Sequence, residues 1–244
     1  MALLRLDKYL AQSGEHSRKE AALLVRKGLV QVDGLAQRDP AQKIDPALQA
    51  VTLKGEAVGD AGLQYYVLHK PAGVLTAARD SRAQTVMDLL PEAFLRRKVL
   101  PVGRLDKDST GLLLLTNDGE LAHFLLSPKR HILKEYHVQV TGCLAEEAVR
   151  AFDEGIALSD FIAKPAQMRI IRADAETSDA IVWLSEGKFH QVKRMFAACG
   201  HEVRRLHRAA FGSLRLPDDL PEGVHRALTA DELSALKNRL NSPD

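Results

Sequence analysis

The chain lacks the features that mark secreted, membrane-spanning or nucleotide-binding proteins. It has only two cysteines among 244 residues, Cys143 and Cys199, without metal-ligand spacing, which fits a reducing compartment. No apolar run approaches the length of a membrane span, and the first charge appears at Arg5. Neither a P-loop nor a dinucleotide-binding glycine pattern occurs. These absences predict a cytoplasmic protein that does not use a nucleotide-binding doubly wound fold.

Charge is nearly balanced overall, but it is distributed unevenly along the chain. A formal net charge of +2 is too small to indicate a nucleic-acid partner by itself. Between Lys188 and Arg208, however, six basic residues stand against a single acid, Glu202. A basic face on a nearly neutral protein predicts a polyanionic partner.

The first fifty residues predict two helices followed by a hairpin. Ser17 and Glu20 have the spacing of a capping box at a helix start, and Gly28 is placed to end that helix. An earlier apolar pattern at helical spacing runs from Leu6 to Leu10. Asp33-Gly34 is typical of a tight hairpin turn between two alternating apolar segments.

Three segments of this region resemble the alpha-L RNA-binding module of a small-subunit ribosomal protein: Arg5–Leu10, Ser17–Ala21 and Gly28–Gly34. The resemblance implies that the basic residues on the exposed faces bind RNA. Taken singly, each of these residues is better explained as part of a solvated helical surface. The six are Arg5, Lys8, Arg18, Lys19, Arg26 and Lys27.

The composition also predicts a domain boundary. Lys54–Gly62 contains three glycines, two acids and few apolar residues, which is typical of a linker. We therefore expect a small domain over residues 1–54, a linker over 55–63 and a second domain over 64–240. Strand and helix patterns alternate in the second domain and predict an α+β fold with a mixed sheet.

The most unusual stretch is the loop from Val102 to Gly111, which precedes four consecutive leucines and carries two carboxylates and two cations. A glycosidase carboxylate pair is weakly supported, because Asp106 and Asp108 need not face one cleft. Ser109 has no identifiable base, and the histidines of the chain lack zinc-site spacing. Residue types alone therefore favour a charged surface turn and predict no metal site.

Five segments, in order, resemble the motifs of RNA pseudouridine synthases of the RsuA branch. With the N-terminal module, the resemblance covers nearly the whole chain, and it changes the interpretation of the loop from a surface turn to an active-site loop. It implies a mainly antiparallel sheet with flanking helices in the second domain. The segments are Leu68–Gly73, Gly103–Leu113, Lys134–Tyr136, Glu186–Met195 and His201–Arg208.

The resemblance also implies a reaction and a set of roles. A uridine in RNA is isomerised by breaking its N-glycosidic bond, rotating the uracil and forming a carbon-carbon glycosidic bond, which requires no cofactor and no metal. Asp106 matches the essential aspartate, a nucleophile or a base, and Arg104 matches an arginine that helps to hold the nucleotide out of the stack. Tyr136 matches an aromatic residue that packs on uracil, Lys193 matches the basic residue that pairs with the aspartate, and Leu206 matches an apolar wall residue.

Two further expectations concern charge. Asp108 is expected only to shape the turn, and the basic run from Lys188 to Arg208 is expected to follow phosphates around the cleft. Lys193 stands where some relatives carry arginine, so it keeps the charge but loses bidentate geometry towards Asp106.

The resemblance favours small-subunit 16S ribosomal RNA as the substrate, on the Leu126–Lys129 run and the lack of a long basic tail. Two alternatives stay open: a large-subunit 23S synthase of the same architecture, and a non-catalytic rRNA-binding or ribosome-assembly factor. The expected partner is ribosomal RNA or a pre-ribosomal particle. We expect a monomer that uses no small-molecule cofactor and no membrane.

Overall fold

The computed structural model describes residues 3–46, 48–58 and 62–238. The chain divides into two compact units. The first comprises the described residues up to Gln64 together with Leu90–Leu100, and the second comprises Tyr65–Leu89 and the described residues from Pro101 onward. Among the described residues, no helix combines the length and the apolar character needed to cross a membrane.

The first unit contains the predicted helices and hairpin. The Ser17 hydroxyl accepts a hydrogen bond from the Glu20 amide, and the Glu20 carboxylate accepts one from the Ser17 amide, which confirms the capping box. Asp33 and Gly34 both have positive φ, as the predicted turn requires. The elements are β1 (Leu4–Arg5), α1 (Leu6–Gln12), α2 (Arg18–Arg26), β2 (Val30–Val32), β3 (Leu35–Gln37), β4 (Lys43–Ile44), β5 (Val51–Leu53), β6 (Glu56–Ala57) and α3 (Ala93–Arg96).

Strands β3, β2, β5 and β6 form a four-stranded antiparallel sheet in that order, and β1 pairs with β4. The apolar faces of α1 and α2 share one core with this sheet, which includes Leu6, Leu10, Val25 and Val30. The hydrophobic periodicity of the first fifty residues is therefore satisfied within the unit.

Two features of this unit differ from the sequence-based division. Glu56 and Ala57, which the linker of 55–63 would include, form β6, because Lys54 and Gly55 adopt positive φ and turn the chain back onto β5. Leu90–Leu100 also belongs to this unit: the Arg97 Nε donates to the Ser13 carbonyl at 2.6 Å. Contacts made across more than eighty residues leave no signal in local composition. Residues 59–61 of the linker and 239–240 of the second domain lie outside the described residues.

The second unit is built on a mixed, mainly antiparallel sheet with the strand order β11-β12-β10-β13-β9-β7-β15, and β14 pairs with β13. The β9–β13 pair is parallel, and the other pairs are antiparallel. The strands are β7 (Tyr65–Lys70), β8 (Leu100–Pro101), β9 (Thr110–Thr116), β10 (Lys134–Thr141), β11 (Gln167–Ala173), β12 (Thr177–Leu184), β13 (Val203–Phe211), β14 (Leu214–Arg215) and β15 (His225–Ala227).

Helices cover the sheet, in agreement with the predicted α+β architecture. They are α4 (Gly119–Leu126), α5 (Glu146–Glu154), α6 (Gln191–Ala198) and α7 (Ala230–Asn238), with two 3₁₀-helices, Val86–Leu89 and Pro128–Arg130. On α6, Val192, Met195 and Phe196 are buried together, as their spacing predicts. They share a core with the inward side chains of β10 and β12 and with α5.

The four consecutive leucines, Leu112–Leu115, are all fully buried in β9, which lies inside the sheet. A strand covered on both faces needs no polar alternation, which explains the continuous apolar run. Gly111 precedes them with φ of +109°, and a Cβ there would lie 2.4 Å from the carbonyl oxygen of Arg208. Only glycine therefore permits the close parallel approach of β9 to β13.

Candidate active site

The loop between Val102 and Thr110 is held from below by a buried lysine. Lys70, at the end of β7, is fully buried, and its Nζ donates to the backbone carbonyls of Pro71 at 2.9 Å, Lys107 at 3.2 Å and Ser109 at 2.8 Å. Burial lowers the pKa of Lys70 to about 8. One side chain therefore fixes the backbone that follows Asp106 in the chain.

The backbone that precedes Asp106 is fixed as well. Thr76 accepts a hydrogen bond from the Leu105 amide at 3.1 Å through its hydroxyl oxygen and donates to the Leu105 carbonyl at 2.8 Å. The Ser109 amide donates to the Asp106 carbonyl at 3.2 Å. Asp106 thus stands on a backbone that is constrained at both ends, which is the requirement for a preorganised catalytic group.

Four of the predicted site residues line one cavity of about 70 Å³: Arg104, Asp106, Tyr136 and Leu206. Tyr136 on β10 and Leu206 on β13 are buried on one face of neighbouring strands, where Val138 of β10 pairs with Leu206. Arg104 is exposed and forms no hydrogen bond or ion pair with any described residue. Tyr136 and Leu206, seventy positions apart, thus meet because β10 and β13 are adjacent.

Lys193, the fourth predicted catalytic residue, is placed differently. Its Nζ lies 3.7 Å from Asp106 Oδ2, but it donates to both oxygens of Asp108, at 2.5 and 2.7 Å. The hydrogen bond from Lys193 holds the pKa of Asp108 below its usual range. Asp108 therefore does more than shape the turn: it is the nearer partner of Lys193, because α6 presents the ammonium between the two carboxylates.

His190 is a neighbour of Asp106 for which no role was predicted. It is the residue before α6, with φ of +50°, and its Nε2 lies 3.6 Å from Asp106 Oδ1. Asp106 is therefore flanked by an imidazole on one oxygen and an ammonium on the other. Only an ionised carboxylate can act as a nucleophile or as a base, and both neighbours can stabilise that charge.

Lys70 and His190 are the functional side chains that sequence reasoning missed. Both stand in segments that carry the family resemblance, and that position was the signal available. Residue type gave none, because a lysine in a strand is expected at the surface and a lone histidine has many uses.

The basic run from Lys188 to Arg208 is only partly available to a ligand. Lys188, Arg204 and Arg205 are exposed. Arg194 pairs with Asp160. Arg208 is buried: its Nε donates to the Leu112 carbonyl at 2.9 Å, so the expectation that it follows phosphates is wrong. The inward position of Arg208 on β13 removes its charge from the surface.

The six residues predicted to bind RNA in the N-terminal unit are all exposed: Arg5, Lys8, Arg18, Lys19, Arg26 and Lys27. Two of them also have an internal partner, since Arg5 and Arg18 approach the buried carboxylate of Asp7 at 2.8 and 3.5 Å. The hydrogen bond from Arg5 is the main cause that lowers the pKa of Asp7. Lys8, Lys19, Arg26 and Lys27 are not tied to Asp7.

Within the described part of the chain, no group of three or more histidine, cysteine or acidic side chains could hold a metal ion. The cavity instead offers a carboxylate, an aromatic face and an apolar wall. This set suits an uncharged, planar group attached to a sugar.

Comparison with known proteins agrees with this chemistry. Residues 64–198 match the family model described as RNA pseudouridylate synthase, and residues 4–49 match the S4 domain. The chain belongs to the RNA pseudouridine synthase family. The RNA-binding S4 domain confirms the predicted N-terminal module, and the synthase match confirms the predicted catalytic fold.

Three similar proteins illustrate the relationship across this synthase. An uncharacterized RNA pseudouridine synthase of Bacillus subtilis, YtzG, is 43% identical over 96% of this chain and 98% of its own length. The ribosomal small subunit pseudouridine synthase A of Vibrio cholerae is 37% identical, over 96% and 99%. A crystal structure of a pseudouridylate synthase is 34% identical, with a TM-score of 0.67 over 96% of this chain and 99% of that one.

Proposed function

We propose that this synthase isomerises one uridine to pseudouridine in 16S ribosomal RNA of the small subunit. The observation that carries the proposal is the position of Asp106, which stands on an anchored loop at a cavity walled by Tyr136 and Leu206. Similarity to several small-subunit synthases over nearly the whole chain supports the choice of substrate.

In this proposal the uracil enters the cavity out of the RNA stack. Its ring packs on Tyr136, with Leu206 as the apolar wall, and stacking of about 1 to 3 kcal/mol offsets much of the few kcal/mol needed to unstack the base. Asp106 faces the sugar as nucleophile or base while the N-glycosidic bond breaks. The detached uracil rotates between these walls, and the carbon-carbon bond then forms.

The cations around the cavity have separate tasks. Arg104 is exposed and unpaired among the described residues, so it is free to support the extruded nucleotide at the mouth. Lys193 and His190 flank the Asp106 carboxylate at 3.7 and 3.6 Å and orient it towards the sugar. The Lys193 ammonium is shared between the carboxylates of Asp106 and Asp108.

The S4 domain binds the RNA through phosphate contacts. Of its six predicted RNA-binding residues, the four that are not tied to Asp7 are Lys8, Lys19, Arg26 and Lys27. The synthase acts in the cytoplasm as a monomer on ribosomal RNA or a pre-ribosomal particle.

The decisive experiment maps pseudouridines in 16S and 23S ribosomal RNA from cells with and without this protein. We expect one site to be lost from 16S rRNA and restored by the wild-type gene but not by Asp106→Asn, which should still bind RNA. Asp153→Asn is the matched control, because it removes the same charge from an exposed side chain of α5 that does not line the cavity, and it should restore the site. A site lost from 23S rRNA would favour the large-subunit alternative, and no lost site would favour a non-catalytic factor.

A second experiment tests the S4 domain. Replacing Lys8, Lys19, Arg26 and Lys27 together by alanine should weaken RNA binding and reduce the slope of log affinity against log salt by about 0.7 to 0.9 for each lost phosphate contact. Arg150→Ala, at an exposed cation of α5, is the control. An unchanged slope would reject the RNA-binding role of these residues.

A further inference from the structure

Phe189 is the one exposed side chain among the phenylalanine, tyrosine and tryptophan residues that the structure describes. Its side chain is 70% exposed, so it does not contribute the stabilising free energy that a buried phenylalanine provides. Its ring stacks on that of His190, with 3.9 Å between the ring centroids and 17° between the planes. One face of Phe189 is thus covered by an imidazole, and the opposite face is open to a ligand.

The stacked pair lies beside the active site. Phe189 and His190 line a wide cavity of about 530 Å³, whose wall also includes Asp106. His190 and Asp106 line the 70 Å³ cavity as well, so the two cavities adjoin at the catalytic carboxylate. His190 is fixed from the other side by its approach to Asp106 at 3.6 Å.

The wide cavity has the chemistry of a nucleotide site. Arg104, Lys107 and Lys188 contribute cations to its wall, and all three are exposed. An open aromatic face among cations is the arrangement that binds single-stranded nucleic acid, in which bases stack and phosphates meet positive charge. A second catalytic site would need a carboxylate of its own. Among the described residues, Asp106 is the one acid that lines the wide cavity, and it also lines the 70 Å³ cavity, so the wide cavity is not a second catalytic site.

We propose that the Phe189–His190 pair is a stacking platform for the base of the nucleotide that adjoins the target uridine in the RNA. This inference rests on the proposed function and adds to it a subsite that selects unpaired RNA beside the modified position. A base stacked on Phe189 holds the backbone at the mouth of the small cavity while the uridine occupies it. Phe189 contributes to substrate binding, because it does not line the 70 Å³ cavity in which bonds change.

The test measures kcat and KM for pseudouridine formation in 16S rRNA transcripts by Phe189→Ala, Phe189→Trp and a control. The control is Ile162→Ala, since Ile162 is 73% exposed and lines neither cavity. We expect Phe189→Ala to raise KM about five- to 150-fold, as loss of one base–aromatic stack predicts, with a smaller effect on kcat. Phe189→Trp should restore KM, and Ile162→Ala should leave it unchanged.

A second measurement separates stacking from a structural role. RNAs with an abasic nucleotide on either side of the mapped uridine are compared as substrates. The wild type should be less active on the RNA that is abasic at one of the two flanks than on the intact RNA. Phe189→Ala should be equally active on these two RNAs, because its stack with that base is already absent. The proposal of a stacking platform would be overturned if the abasic nucleotide reduced the activity of wild type and Phe189→Ala by the same factor. It would also be overturned if Phe189→Ala and Ile162→Ala had the same KM. A wild-type protein that forms no pseudouridine in either rRNA would overturn the proposed function and this inference with it.

Discussion

Replacing Lys70 by methionine tests whether a buried ammonium holds the loop that carries Asp106 in place. Methionine has a similar length but cannot donate to the carbonyls of Pro71, Lys107 and Ser109. Each buried carbonyl left without its donor costs about 1 to 3 kcal/mol. Against this, the folded wild type bears a charge in a buried site, and the difference between a pKa of 10.5 and about 8 corresponds to roughly 3 kcal/mol. We expect a net loss of about 3 kcal/mol in the free energy of unfolding at pH 7.

The pH dependence gives the sharper test. Between pH 8 and 10.5 the unfolded chain keeps the Lys70 proton while the folded protein releases it, so wild-type stability should rise with pH by up to about 3 kcal/mol from this group. Lys70→Met lacks this gain. The stability difference between wild type and variant should therefore widen from about 3 kcal/mol at pH 7 towards about 6 kcal/mol at pH 10.

Urea unfolding at pH 7, 8, 9 and 10, followed by the fluorescence of the single tryptophan, measures the difference. Lys134→Met is the matched control, because burial also lowers the pKa of Lys134 to about 8, but its Nζ donates to one carbonyl, that of Ile132. It should show a similar pH dependence and a smaller loss at pH 7. A wild-type-to-Lys70→Met difference that does not change with pH would refute the reasoning.

Three further substitutions have definite expectations. Gly111→Ala should destabilise the protein by about 3 kcal/mol or more, because a Cβ would lie 2.4 Å from the Arg208 carbonyl oxygen at positive φ; a loss below about 1 kcal/mol in urea unfolding would contradict this. The hydrogen bond from Arg226 is the main cause that lowers the pKa of Glu232 to about 2, so this stabilisation is present above pH 4.5 and is lost as the pH falls through about 2. Glu232→Gln should therefore lower the free energy of unfolding by less than about 3 kcal/mol at pH 7. It should also weaken the dependence of that free energy on pH between 4.5 and 2, and an unchanged dependence would count against the assignment. Ser17→Ala should cost about 1 kcal/mol of stability by removing the capping box of α2, and circular dichroism during urea unfolding should detect it; no change would show that the cap is dispensable.

Local chemistry explains why much of the fold could be predicted. The capping box at Ser17, the Asp33-Gly34 turn and the apolar stripe of α6 each depend on residues within one or two turns of chain. Such signals are legible because hydrogen bonds and side-chain periodicity act over a few residues. The order of the strands and the inclusion of Leu90–Leu100 in the first unit have no local signal.

The candidate site divides in the same way. The family motifs predicted that Asp106 lies in an active-site loop and singled out Tyr136 and Leu206. All three line one cavity, and Tyr136 and Leu206 meet there because β10 pairs with β13. The sequence by itself determined which residue types were present and roughly which elements carried them. Only the tertiary structure decided that Lys70 is buried beneath the loop and that Lys193 binds Asp108 more closely than Asp106. The reason is physical: burial and charge pairing depend on distances between segments far apart in the chain, and no local pattern encodes those distances.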